Sequence, residues 1–376
     1  MATLRGEPVD RPAVCFYEIT GYSGDQDRSN GDPFNIYSHP SWEPLLDLAW
    51  NRSDIISRRD IGFKGAQPAP AVDRQKVEEW TDVHGSRFVR TSLRAGSRSL
   101  TQLTRRDPDV NTVWTLEHLL KDADDFRAWL DLPAAPFGGQ PDVEEFLQVE
   151  REIGDRGIVL IDRADALCRV APLFDMATFT VIALTETELM HRAMEKVQSL
   201  HLAQTAAIAA ALPGRLWRIV GPEYASPPYL PPRLFEEYVT RYDKPMVEAI
   251  HRHGGFARIH SHGRLRDILD HIAATGCMGL DPVEPPHQGD VSLAYVREKY
   301  GRQMVLFGNI EASDLENLAP REFGAKLETA LREGVAGEGR GFVLMPSACP
   351  YGRVLTDRAL ANYRSMIERT ERLAAR

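Results

Sequence analysis

The most constraining feature of this sequence is a repeated alternation of short apolar runs and amphipathic helices from about residue 157 onward. Most of the runs are almost continuously apolar, as parallel strands covered on both faces must be. Residues 264–275 show the helical half of the unit, with apolar side chains at i, i+3, i+4 and i+7. Residues 234–252 form a second amphipathic helix, which Pro245 must kink or split. The six runs are Gly157 to Ile161, Leu216 to Val220, Phe256 to Ile259, Met278 to Val283, Met304 to Phe307 and Phe342 to Met345.

Two further candidate strands near the start of the chain, at Ala13 and Asp54, bring the count of βα units to eight. Eight such units predict an α/β fold of the (β/α)8 TIM-barrel type, and barrels of this size routinely form one domain. We therefore expect residues 1–376 to form a single barrel domain. A doubly wound open sheet is the alternative, although no GxGxxG follows an early strand to support dinucleotide binding.

The first part of the chain is less regular and predicts an N-terminal extension with an insertion over residues 64–140. Glu79 to Leu103 alternates polar with apolar or β-branched residues, as an antiparallel β-ribbon would. Asp107 to Asp131 has a Trp/Leu face that indicates a helix, and a Pro/Gly-rich break precedes a further helix over Val143 to Ile153.

Composition and charge exclude several classes of partner. The net charge is -9 and no Lys/Arg-rich tract is present, which argues against nucleic acid. No stretch approaches the ~20 apolar residues that would span a membrane, and the first residues lack the apolar core of a signal peptide. Four cysteines in 376 residues do not form a disulfide framework. We expect a cytoplasmic protein with no membrane or nucleic-acid partner.

Polar side chains follow the predicted strands at one end, which is where the reactive groups of a barrel collect. Any one of these residues is more commonly structural, but together they indicate a site at the carboxyl rim of the strands. The set comprises Asp162, Glu223, His260 and His262, Glu284, Asn309 and Glu311, and Cys349.

The segment FARIHSHG and the distant Cys349 carry a candidate metal site. His260 and His262 can share one face only if they lie at or just beyond the end of a strand, and Gly263 suits that exit. Two imidazoles and a thiolate, with a carboxylate nearby, suit a tetrahedral zinc ion with one exchangeable position. The alternatives are that one histidine is a core or loop residue and that Cys349 is a small buried hydrophobe, as we expect for the other three cysteines.

The C-terminal 220 residues resemble the uroporphyrinogen decarboxylase superfamily through HSHG, GLDPVEP, YGRQMVLFGNIE and SACPYGRVLTDRALANY in that order. The resemblance implies a (β/α)8 barrel with its site at the carboxyl rim. This superfamily includes zinc-dependent, corrinoid-linked methyltransferases that hold zinc with an HxC pair and a distant cysteine. His260 matches the histidine and Cys349 the distant cysteine, whereas His262 stands where that branch has its second cysteine.

From the residues and the resemblance together we expect a zinc-dependent methyltransferase that acts on a small methyl donor with a thiol or corrinoid acceptor. Glu223 is the expected displaceable fourth ligand. We expect Glu284 or Asp162 to orient the substrate. Tyr224, Tyr229 and Asn309 complete the expected substrate pocket. Because the chain has no DxHxxG motif, any corrinoid would arrive on a separate protein.

Two other functions compete with this expectation. The decarboxylase branch needs no metal, and its resemblance implies N-terminal arginines that grip a polycarboxylate; here that region reads YEITGYSGDQDR, without the arginine pair. The SDII segment keeps Asp54 as a candidate substrate-binding residue. A methyltransferase should show at most one or two arginines or lysines facing the pocket, whereas three or more would favour the decarboxylase. The second competing function is that of a non-catalytic, ligand-binding barrel.

Overall fold

The structure is a computed structural model that describes residues 1–29, 31–67 and 75–374. Its strands are β1 Ala13–Val14, β2 Ile55–Arg59, β3 Phe63–Lys64, β4 Gln75–Thr81, β5 Arg87–Ala95, β6 Arg98–Arg106, β7 Trp114–Glu117, β8 Gln140–Pro141, β9 Gly157–Ala164, β10 Leu216–Val220, β11 Phe256–His260, β12 Gly279–Asp281, β13 Val305–Ile310 and β14 Phe342–Pro346. Its helices are α1 Ala2–Arg5, α2 Glu43–Arg52, α3 Ala123–Leu130, α4 Glu144–Ile153, α5 Ala166–Val170, α6 Met176–Thr185, α7 Thr187–Ala211, α8 Pro232–Phe235, α9 Arg241–Arg252, α10 Leu269–Ala274, α11 Leu293–Tyr300, α12 Ala312–Asn317, α13 Pro320–Gly334 and α14 Asp357–Ala374.

Eight parallel strands form one curled sheet in the order β1, β14, β13, β12, β11, β10, β9, β2. Each pairs with its neighbours in a parallel ladder, and helices connect successive strands from β9 onward. The two end strands of this order also approach each other, because the backbone N–H of Asp54 donates to the carbonyl of Val14 at 2.7 Å. The predicted α/β class and TIM-type parallel sheet are confirmed in this architecture.

The sheet separates two apolar clusters. The larger lies between the sheet and its covering helices, and the smaller comprises side chains such as Leu160, Leu216 and Phe307 from neighbouring strands together with Cys15. All four cysteines are free; Cys15 and Cys277 are buried and Cys168 is half-buried. Within the described ranges no single helix is both long and apolar enough to cross a membrane; one pair, Ala166–Leu173 with Met176–Thr185, passes that test jointly but is bent by 116°.

A four-stranded antiparallel sheet, β4-β5-β6-β7, lies in the chain between β2 and β9. Its β5–β6 hairpin turns at Gly96, and its residues overlap much of the antiparallel ribbon predicted for Glu79 to Leu103. The predicted helix over 107–131 is wrong for most of its length, because only α3 is helical and residues 114–117 form β7. Trp114 and Leu116 of that strand are exposed, so this half of the apolar pattern does not form a buried helix face.

Two contacts tie the segment after β14 to its surroundings. The N–H of Ser347 donates to the carbonyl of Ile310 at 2.7 Å, which joins it to the end of β13. Further on, Gly352 forms an isolated antiparallel bridge with Val110, in the loop between β6 and β7. The segment that carries Cys349 is therefore held on both sides.

The predicted helix over residues 234–252 is split into α8, a π-helical turn over Glu236–Thr240 and α9. Pro245 lies inside α9, one turn after the π-helical segment. Because proline lacks an N–H and clashes with the carbonyl four residues earlier, a locally widened helix upstream of it is the expected response.

Gly157 allows β2 and β9 to pair closely, and replacing it tests that contact. A Cβ at residue 157 would lie 2.1 Å from the carbonyl oxygen of Ile55, its partner in the ladder. We expect Gly157→Ala to lower the free energy of unfolding by about 2–3 kcal/mol, as overpacking does. Gly62→Ala is the matched control, because nothing lies within 4 Å of the added atom. Equal urea midpoints for the two variants would contradict this packing.

Candidate active site

Strands β9 to β11 carry charged side chains into the barrel. Arg218 of β10 is the ladder partner of both Asp162 on one side and Arg258 on the other, so all three point to the same face of the sheet. The Nε and Nη2 groups of Arg218 donate to the two carboxylate oxygens of Asp162 at 2.8 and 3.1 Å. Its Nη1 group donates to the hydroxyl of Tyr17 at 2.8 Å. Asp162 therefore holds Arg218 with both of its oxygens.

Asp281, which is fully buried at the end of β12, is the centre of a second charged group. It is the ladder partner of His260, whose Nδ1–H donates to Asp281 Oδ2 at 2.9 Å. On its other side, Nε of Arg258 lies 2.9 Å from Oδ1, and Arg258 is itself only 2% exposed. Burial would raise the pKa of Asp281, but Arg258, His260 and Arg218 together lower it to about 2. Asp281 is therefore ionised at neutral pH.

A second histidine–carboxylate pair lies just beyond the strand ends. Nδ1–H of His262 donates to Glu284 Oε1 at 2.8 Å, and Oε2 of Glu284 accepts the backbone N–H of Gly263 at 2.8 Å. Burial alone would lower the pKa of His262, but the bond to Glu284 and its negative charge raise it. The same contacts, working against burial, lower the pKa of Glu284. Both oxygens of Glu284 are thus engaged in orienting this loop.

The two imidazoles lie side by side, with ring centroids 4.7 Å apart and planes at 85°. Since a carboxylate only accepts hydrogen bonds, each ring donates from Nδ1, and in the neutral imidazole Nε2 then keeps the lone pair. Histidines that bind metals are commonly fixed in this way by a carboxylate on the other ring nitrogen. The chemistry of His260 and His262 therefore fits a metal ion.

Cys349 has a different partner. Its thiol donates to Oε2 of Glu18 at 3.4 Å, and burial with the adjacent Glu18 charge raises the pKa of the thiol well above its usual value. Glu18 is in turn ion-paired with Arg58. Across residues 1–29, 31–67 and 75–374, no three His, Cys, Asp or Glu side chains are grouped as a bound metal requires. As the side chains stand, the structure brings the two histidines together but does not join Cys349 to them as a third ligand.

The tyrosines and Glu223 of the expected pocket lie in the turn after β10. Oε2 of Glu223 accepts the N–H of Gly221 at 3.2 Å, and the negative charge of Glu223 helps to raise the pKa of His262. Tyr224 packs edge-on against Phe179, and burial raises its pKa to about 12. Tyr229 is 47% exposed.

The two remaining predicted residues are in other parts of the sheet. Asn309 lines a groove of about 420 Å³ together with Glu311, and neither histidine lines this groove. Asp54 precedes β2 and is therefore at the amino ends of the strands, opposite the rim; its carboxylate accepts the N–H of Val14 at 2.7 Å and pairs with Arg11. Asp54 is not brought into the site around the histidines.

The expectation of at most one or two arginines facing the site is wrong. Arg58, Arg218 and Arg258 all line one small cavity inside the barrel. Sequence reasoning missed these positions because Arg218 and Arg258 lie within the runs LWRIV and FARI, which are otherwise apolar. Each arginine is balanced by a carboxylate, namely Glu18, Asp162 or Asp281. An arginine inside an apolar strand is buried and needs a carboxylate partner, so these two arginines were the sequence signal that could have pointed to the acids.

Replacing Asp281 tests this buried charge group. Asp281→Asn leaves Arg258 unpaired in the interior, and we expect the free energy of unfolding at pH 7 to fall by about 3–5 kcal/mol. The exposed Asp267 provides the control, Asp267→Asn. Because the folded pKa of Asp281 is lowered to about 2, its stabilisation is present above the unfolded pKa of ~3.9 and is lost as the pH falls toward 2. Urea unfolding at pH 7 and pH 3 should show a gap between wild type and Asp281→Asn that shrinks in acid; a constant gap would refute this account.

Comparison with known proteins identifies relatives of this architecture. The structure of a methyltransferase from Methanosarcina mazei matches with a TM-score of 0.60 at 16% identity, covering 99% of this chain and 96% of that one. A D-psicose 3-epimerase from Clostridium cellulolyticum (TM-score 0.32, 9% identity, 57% and 87% covered) and a muconate cycloisomerase variant (0.26, 8%, 79% and 76%) are more distant. No curated protein matches the sequence. The family model for uroporphyrinogen decarboxylase (URO-D) matches residues 170–373, more than half of the chain, and this chain therefore belongs to the uroporphyrinogen decarboxylase family.

Proposed function

We propose that this family member is a zinc-dependent methyltransferase that acts on a small methyl donor, with a thiol or a corrinoid carried by a separate protein as the acceptor. The family and the shared architecture with the Methanosarcina mazei methyltransferase support an enzyme of this general kind. The observation that carries the proposal is the pair of adjacent imidazoles, each with Nδ1 held by a carboxylate. In its neutral form each of these imidazoles keeps a lone pair on Nε2, the atom through which it would bind a metal.

His260, His262 and Cys349 are the proposed zinc ligands. The two imidazoles fit this role directly, whereas Cys349 must exchange its contact with Glu18 for the metal. The proton that keeps this thiol neutral would be released on binding, because thiols coordinate as thiolates. Two imidazoles and one thiolate leave a net charge of about +1 on the site, which favours a carboxylate as the fourth ligand. Glu223, whose charge acts on His262, is the proposed carboxylate.

When bound, zinc would serve as a Lewis acid that lowers the pKa of a coordinated thiol or neutralises charge on a leaving oxygen. The remaining residues orient the proposed ligands and offset the buried charges around them. Asp281 and Glu284 fix the tautomer and direction of the imidazoles, and Asp162 fixes Arg218. These three acids are therefore positioning residues. Tyr224 and Tyr229 remain the proposed substrate-facing residues, whereas Asn309 lies in a separate groove.

Decarboxylation of a polycarboxylate is the second candidate, and the three interior arginines favour it. Their charges are already neutralised by Glu18, Asp162 and Asp281, so a substrate carboxylate would have to displace one of these acids. The methyltransferase proposal requires no such exchange among the arginines. A non-catalytic barrel would retain no zinc and would show no change in activity or ligand binding after replacement of His260.

Metal content is the first test of this proposal. Wild type should retain about one zinc per chain, and His260→Ala, His262→Ala and Cys349→Ala should each lose most of it while staying folded. His84→Ala, in an exposed turn, is the control and should keep its zinc. Elemental analysis and circular dichroism give the two readouts. Full zinc occupancy in Cys349→Ala would show that the ligand set is wrong.

His262→Cys tests the residue that departs from the family pattern. With a second thiolate, the metal should bind at least as tightly and should shift its preference from an oxygen ligand toward a thiol. Activity should change without being abolished. Cobalt(II) substitution provides the measurement, because each thiolate ligand adds a sulfur-to-metal charge-transfer band.

Ser261→Cys is the matched control for His262→Cys, because the Ser261 hydroxyl lies 3.1 Å from Ser226 Oγ in the buried interior. It adds a thiol at the neighbouring position and should not increase the charge-transfer band. If His262→Cys adds no thiolate absorption either, His262 is not a ligand and the Glu223 assignment falls with it.

A further inference from the structure

A groove of about 420 Å³ lies between the loop after β12 and helices α11 and α13. Its walls are largely apolar and include Pro285, Leu293, Ala325 and Ala330. A groove of this size with apolar walls and a few polar groups is typical of a site for a small molecule. Its polar groups therefore determine which molecule it can hold.

Glu311 is the polar residue of this groove whose side chain makes no capping bond and has one carboxylate oxygen without a hydrogen-bond partner among the described residues. It occupies the N-cap position of α12, yet its side chain makes no capping bond there. The N–H of Ala312 donates instead to Ser347 Oγ at 3.2 Å, from the segment after β14. Glu311 is only 9% exposed, and its Oε1 has no hydrogen-bond partner in the described part of the chain. A buried polar atom of this kind calls for a partner that is not part of the fold.

The other charged groups of the groove are already engaged. Lys326 is ion-paired with Asp314, and Oε2 of Glu333 accepts the N–H of Ala294 at 3.0 Å. Among the described lining residues, Glu311 is thus a carboxylate with no cation committed to it. Burial, together with the charges of Glu284 and Asp314, raises the pKa of Glu311 to about 7. This environment disfavours the bare carboxylate, and a cation placed beside it would relieve that penalty.

We propose that this groove binds a small organic ammonium ion, with its nitrogen on Glu311 and its apolar body along the wall formed by Pro285, Leu293 and α13. The amide of Asn309, which also lines the groove, supplies a further polar contact for the ammonium group. A carboxylate-bearing ligand is disfavoured, because Lys326 is occupied and the groove carries three acids against one base. This site depends on neither zinc nor methyl transfer.

Ligand-observed NMR titration at pH 8, with the full-length protein, tests the proposal using n-butylammonium, 1-butanol and pentanoate as probes. We expect n-butylammonium to bind at least ~10-fold more tightly than 1-butanol, since a charge-assisted hydrogen bond to a carboxylate supplies a difference of that size. Pentanoate should bind least. Glu311→Gln should reduce n-butylammonium binding to the level of 1-butanol.

Two further variants test whether the probes bind in this groove: one fills it, and the other is a control outside it. Ala325 is exposed at the groove wall, so Ala325→Phe should fill the groove and abolish binding of both n-butylammonium and 1-butanol without disturbing the core. Glu322→Gln removes an exposed carboxylate of α13 outside the groove and should leave binding unchanged. Binding of n-butylammonium that survives Glu311→Gln or Ala325→Phe, or pentanoate binding as tight as that of n-butylammonium, would overturn the proposal.

Discussion

The buried contact between Asp281, Arg258 and His260 is the constraint on which the rest of the site depends. An unpaired charge at this depth would cost several kcal/mol, and Asp281 and Arg258 each offset much of the desolvation of the other. Asp281 must therefore lie at the end of β12, opposite the end of β11, and the register of the two strands is fixed by that pairing. The same contact sets the orientation of His260.

The second pair, His262 with Glu284, repeats this arrangement just beyond the carboxyl ends of β11 and β12. The first pair lies within the ladder and is almost fully buried, whereas the second lies beyond it, where the His262 side chain is about a third exposed. One imidazole is thus rigidly placed by the sheet, and the other is placed by a loop that is itself anchored by Gly263. For the proposed zinc, this combination would give one rigidly placed ligand and one more accessible ligand, which suits a metal that must exchange a substrate.

Periodicity predicted the parallel sheet well, and strands β9 to β14 overlap the six apolar runs. A strand that is covered on both faces is almost continuously apolar, so its sequence pattern is easy to recognise. Periodicity failed at residues 107–131, where exposed Trp114 and Leu116 imitate a helix face. The histidine pair was predictable from HSH after a strand. The partners Glu18 and Arg58 were not, because they come from distant segments that only the curled sheet brings together.

The short span that carries Cys349 lies between two attachments, Ser347 on β13 and Gly352 on the loop beside the antiparallel sheet. A side chain on a tethered span can turn between neighbouring partners, but its backbone has few conformations left to lose when a ligand captures it. The entropic penalty for recruiting this thiol is correspondingly small. The loop between β6 and β7 thus contributes to the position of this thiol: a change that loosens the Val110 bridge would weaken binding of Cys349 to the proposed zinc without touching any group that reacts.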